Sequence, residues 1–68
     1  MKRFIGKVVL ISPRLTGCVE TDCGRRVAFN VASFKIRPAP GQNLWGKRVT
    51  FGKISESNFI PEGMLELL

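Results

Sequence analysis

Residues 15–34 read LTGCVETDCGRRVAFNVASF, and the fold turns on this stretch. Gly17-Cys18-Val19-Glu20-Thr21 is short, β-branched and opened by glycine. Asp22-Cys23-Gly24 is turn chemistry, because Gly24 accepts the positive φ that a hairpin turn often needs. From Arg26 to Phe34 the chain alternates. Val27, Phe29 and Val31 point one way; Arg26, Ala28, Asn30 and Ala32 point the other. Period two puts one set in a core and the other on a face. The pattern predicts two strands joined by a tight turn, the second reaching Phe34.

Upstream, residues 3–12 (RFIGKVVLIS) read as a first strand. Val8, Val9, Leu10 and Ile11 are apolar without a break, so either both faces are covered or one awaits a partner. Gly6 within the run signals a bend or a close backbone approach. Ser12-Pro13-Arg14 is a turn. Downstream, Pro38, Pro40 and Gly41 make residues 35–43 a long surface loop. Residues 44–54 (LWGKRVTFGKI) return to strand, with Val49 and Phe51 on one face and Arg48 and Thr50 on the other. Residues 55–58 form a second loop. Residues 59–68 fit a short helix begun by Pro61 or a closing strand. The strand is preferred, because four strands would leave an open edge.

The expectation is therefore an all-β chain, a small five-stranded antiparallel barrel occupying residues 1–68 as one domain. Val8, Val19, Val27, Phe29, Val31, Val49 and Phe51 are its expected core. Among such barrels the OB-fold is the basic, nucleic-acid-binding one of this size. An SH3-like barrel has similar strand counts, and spacing does not separate the two.

Charge narrows the partners. Lys and Arg number 11 against 5 Asp and Glu in 68 residues, a formal net charge of +6, and the sequence pI is about 10.2. That balance favours a polyanion. Lys7, Arg14, Arg25, Arg26, Lys35, Arg37, Lys47 and Arg48, with Lys53, are candidate phosphate contacts, and Asn30 is a candidate for a base edge. Glu56, Glu62 and Glu66 follow the last basic residue, so the acidic tail is expected to lie away from an anion-binding face. Phe34 and Trp45 flank the proline loop. Phe34 reads as packed beneath it, while Trp45 either covers a barrel end or serves as an exposed docking residue.

The chain has two cysteines and no histidine. A tetrahedral zinc site needs four good ligands, so no metal is expected, and no cofactor is implied. Cys18 and Cys23 are read as free thiols in a reducing cytoplasm. The short apolar run after Met1-Lys2-Arg3 is broken by Gly6 and Lys7, so neither a signal peptide nor a membrane span is expected. No catalytic constellation is present. Glu20 and Asp22 have no partner base, and Cys18 has no activating histidine.

The order GKVVLISP, TGCVETDCGRRVAFNVASF, loop, LWGKRVTFGKI resembles the bacterial cold-shock proteins across roughly the whole chain. Gly6-Lys7-Val8 resembles the family's Gly-x-Val opening of strand one. The end of its Lys-Gly-Phe-Gly-Phe-Ile motif falls on Thr16-Gly17-Cys18-Val19. Its Val-Phe-Val-His-Phe falls on Val27-Ala28-Phe29-Asn30-Val31, and its Gly-x-x-Val-x-Phe on Gly46-Lys47-Arg48-Val49-Thr50-Phe51. The resemblance implies a cold-shock-like OB-fold that binds single-stranded RNA or DNA. In that family, outward aromatics on strands two and three stack on bases. Here those positions read Thr16, Cys18, Ala28 and Asn30, and the family's strand-one tryptophan is Leu10. Two functions follow. One is nucleic-acid binding carried mainly by phosphate contacts. The other is an accessory or regulatory module, of the kind a phage or plasmid encodes, docking on an acidic protein of a transcription, translation or replication machine.

Overall fold

The longest strand, β1 (Phe4–Ile11), lies at the centre of a five-stranded antiparallel sheet. The computed structural model describes residues 3–39 and 41–68. β2 (Gly17–Thr21), β3 (Arg26–Phe29), β4 (Arg48–Phe51) and β5 (Glu66–Leu67) complete the sheet in the order β3-β2-β1-β4-β5. β1 pairs with β2 along one side and β4 along the other. Gly6 is required where these three strands meet. A Cβ there would run into the Glu20 carbonyl oxygen and come within 2.7 Å of Val19 Cγ1. A register shift between Val8 and Leu10 marks a bulge at Val9. The bulge resolves the unbroken apolar run: Val8 is buried, and Leu10 turns outward, 55% exposed.

The β2–β3 hairpin closes as its sequence predicts. Thr21 N donates to Arg25 O at 2.8 Å and Gly24 N to Thr21 O at 2.9 Å. Gly24 takes φ 87°, the left-handed position of a three-residue hairpin loop. The third strand does not reach Phe34, however. It stops at Phe29, and residues Val31–Ser33 form a 3-10 turn. Asn30 causes the break. Its Oδ1 accepts from Ala32 N at 2.9 Å and Ser33 N at 3.2 Å, while Asn30 N donates to Ser33 Oγ at 3.1 Å. Such local side-chain bonds compete with the ladder. Val31, expected in the core, is only half-buried as a result. Phe34 takes that role, edge-on to Phe29 with ring centroids 5.5 Å apart.

The fourth strand is likewise shorter than residues 44–54. Lys47 N donates to Leu44 O at 3.1 Å, so a turn precedes β4. The faces within β4 are as read: Val49 and Phe51 are buried, Arg48 exposed. The tail closes as a strand, with β5 pairing Val49 to Leu67 and Thr50 to Glu66. Pro61 begins a turn, not a helix.

The ladder itself does not close. Two isolated parallel bridges, Ala28 to Phe59 and Phe34 to Leu65, connect the β3 side to the segment between β4 and β5. Ser33 Oγ adds a buried bond to Ile60 O at 2.7 Å. The core unites the expected Val8, Val19, Val27, Phe29, Val49 and Phe51 with Phe34, Leu44, Ile60 and Leu65. No helix among the described residues is long and apolar enough to cross a membrane.

Candidate nucleic-acid interface

Alternation along four strands places one charged row on the face opposite the core. Arg26 pairs in register with Glu20, Glu20 with Lys7, and Lys7 with Arg48. Each member adjoins a buried valine on its own strand, Val27, Val19, Val8 and Val49 respectively. The row crosses four strands at about 4.8 Å spacing. It holds three cations and one carboxylate. Arg26 Nε lies 3.4 Å from Glu20 Oε2, and Glu20 also stands opposite Lys7. Lys7 and Arg48 stand directly opposite each other, and neither forms an ion pair among the described residues. Like charges opposed across a ladder are destabilising. The next outward positions toward the far end of β1 are Leu10, Cys18 and Ala28, where Cys18 is paired to both others. They form a small patch of apolar and thiol side chains, and the bridge from Ala28 to Phe59 sets the half-buried Phe59 beside it.

A second cationic region lies beside the sheet. The β1–β2 turn and the proline loop enclose a groove of about 520 Å³, and Arg14 and Arg37 both line it. Ser12 N donates to Thr16 O at 2.8 Å, the Ser12 and Thr16 hydroxyls meet at 2.7 Å, and Leu15 adopts φ 63°. A left-handed leucine is uncommon. Here it lets the turn close while Leu15 packs against the core. Trp45, also lining the groove, is 54% exposed.

Other candidates are drawn into the fold. Lys35 Nζ lies 3.6 Å from Glu66 Oε1, and Arg3 holds Glu66 Oε2 at 2.7 Å. The acidic tail, expected to lie away from an anion-binding face, returns through the pairing of β5 with β4, which sets Glu66 between Arg3 and Lys35. Arg25 Nε donates to Asn58 Oδ1 at 3.0 Å. The Asn30 oxygen is spent on the 3-10 turn. Lys47 is exposed just before β4. Glu20 was legible only as an acid near a turn, and its place within the cationic row depends on strand register. The groove walls, residues 12–15, 37–39 and 41–45, are distant in sequence, and no motif links them.

Cys18 and Cys23 are free thiols, half-buried and exposed respectively. Cys23 Sγ lies 3.1 Å from Thr21 Oγ1. That hydrogen bond, with the Arg25 backbone, pulls the Cys23 thiol below its ordinary pKa. Comparison with family models, curated proteins and solved structures gives no match to this chain.

Proposed function

We propose that this protein is a cold-shock-like OB-fold module that binds single-stranded RNA or DNA chiefly through its phosphates, in a reducing cytoplasm. The observation that carries this reading is the Lys7–Arg48 pair, two directly opposed cations that make no ion pair among the described residues, in a row of three cations against the single carboxylate of Glu20. A polyanion laid across the row relieves that repulsion and releases its own counterions. Arg26, Lys47, Arg14 and Arg37 extend the positive surface on either side. The bridges through Phe59 and Leu65 favour a barrel, since they bring the two sides of the sheet onto one segment.

Phosphate contacts carry no sequence information, so binding is sequence-tolerant and steep in salt. With about four to six contacts, log affinity falls against log salt with a slope near −3 to −4 on a single strand. Titration of labelled oligonucleotides of several sequences at two salt concentrations tests this. Tight binding that survives high salt would refute it. A second reading, docking on an acidic protein, is favoured by the uncharged Leu10, Cys18 and Ala28 surface beside the basic row. Capture from lysate with and without nuclease separates the two: nucleic-acid-bridged partners disappear on digestion, and a direct protein partner remains.

A further inference from the structure

The groove offers what the sheet face lacks. Its floor includes Leu44, buried in the core, and Ile11, packed against it. Arg14 and Arg37 are exposed and make no ion pair among the described residues. No carboxylate lines the groove among those residues. Trp45 is pinned from below. Its backbone N–H donates to Asn43 Oδ1 at 3.1 Å, and the next amide, Gly46 N, donates to Val8 O of the central strand at 2.9 Å. The backbone is thus fixed to β1 while much of the indole stays in water. The loop wall is braced as well: Gln42 N donates to Ala39 O at 3.1 Å, and Ala39 N returns a bond to Gln42 Oε1 at 3.2 Å. Lys7, Cys18 and Ala28 do not line the groove, which makes it a separate subsite from the sheet row.

A flat aromatic beside unpaired guanidinium groups fits one ligand chemistry. We propose that the groove binds one nucleotide of the strand, its base stacked on Trp45 and its phosphate held by Arg14 and Arg37. This rests on the nucleic-acid reading above and gives it a second, non-ionic component. An acidic peptide satisfies the arginines and leaves the indole uncovered; a nucleotide engages both. The volume lies within the range of small-molecule sites, about 300–1,000 Å³. Stacking tolerates any base, since every base has a π-face.

Trp45 is the chain's one tryptophan, so its fluorescence reports on the groove directly. Oligothymidylate and thymidine monophosphate should both quench it, the mononucleotide more weakly. Trp45→Ala should weaken labelled oligothymidylate about tenfold with an unchanged salt slope, and Trp45→Phe should recover part of the loss. Arg14→Glu with Arg37→Glu should abolish quenching by the mononucleotide. If Trp45→Ala binds as tightly as wild type and saturating oligothymidylate leaves the fluorescence unchanged, the groove subsite is overturned while phosphate binding on the sheet stands. Quenching by polyglutamate as strong as that by oligothymidylate assigns the groove to acidic peptides and overturns the nucleotide. Absence of any oligothymidylate binding at low salt overturns both readings. Circular dichroism of each variant verifies that it is folded.

Discussion

The outer sheet face and the loop groove both hold unneutralised cations, but they are built differently. On the sheet, strand register fixes Arg26, Glu20, Lys7 and Arg48 in a line. In the groove, Arg14 and Arg37 project from loops, and a half-open indole stands beside them. Regular backbone spaces charges evenly and suits a repeating phosphate chain. Irregular backbone gathers unlike groups at one point and suits a single residue of that chain. The first arrangement contributes salt-sensitive affinity alone; the second adds base stacking, which salt scarcely touches, to its own salt-sensitive phosphate contact.

The sharpest way to break the comparison is to remove what the two regions share. Phe29 is buried against Phe34 and lies between the hairpin and the segment leading to the proline loop. Phe29→Ala should cost about 3–5 kcal/mol and melt sheet and groove in one transition. Near-native melting would show that the two do not depend on a common core. Ser33→Ala is the next largest change. It strips the Ile60 carbonyl and the Asn30 amide of a buried partner and should cost about 1–3 kcal/mol in urea unfolding. Its salt slope for oligonucleotides should match wild type, because the row lies on other elements.

Reversing both Lys7 and Arg48 to glutamate should lower oligonucleotide affinity at least tenfold and flatten the salt slope by about 1.4, two contacts' worth. An unchanged slope would remove the row from the interface. Arg48→Gln alone has a smaller and opposite effect on the fold. It relieves a like-charge pair without removing a carboxylate's partner, so stability at low salt should rise by a few tenths of a kcal/mol even as affinity falls. Added salt should erase that gain, which thermal melts at two ionic strengths would reveal.

The smallest expected effect is a control. Cys23 stands at the hairpin tip, outside both regions. Its thiol is pulled down by the Thr21 hydrogen bond, so the thiolate appears at lower pH than an ordinary cysteine's. Iodoacetamide should therefore modify Cys23 before the half-buried Cys18, with a rate that rises as pH climbs through the lowered pKa. Mass mapping of the alkylated residue checks the order, and oligonucleotide affinity should stay unchanged after modification at Cys23.

The parts of this molecule that sequence reveals are those governed by period two. Val19, Val27, Phe29, Val49 and Phe51 alternate with outward residues, and each is buried where alternation places it. Gly24 and Gly6 announce a turn and a close approach for steric reasons that hold in any context. Asn30 is different. Its place in the alternation suggested a strand, yet its side chain serves its own backbone two and three residues on. Leu44, Ile60 and Leu65 gave no signal because they enter the core from loops and short bridges. The candidate site divides the same way. Arg26 and Arg48 were visible as outward strand positions, and Lys7 only as a basic residue within the first strand. That Glu20 interrupts them, that Glu66 engages Lys35, and that Arg14 meets Arg37 across a groove are matters of register and chain path.

The bridges at Ala28–Phe59 and Phe34–Leu65 have a consequence for how the chain comes to exist in the cell. During synthesis the hairpin is complete about thirty residues before its outer edge finds a cover, since the Ala28 amide and carbonyl wait for Asn58 and Ile60. A nascent or truncated chain that ends before residue 58 presents that edge as a template for any other unpaired strand. Contacts so far apart in sequence also slow folding relative to a chain of local turns. A chain interrupted before residue 58 would therefore be already rich in β-structure yet prone to aggregate, protected only when residues 58–65 arrive.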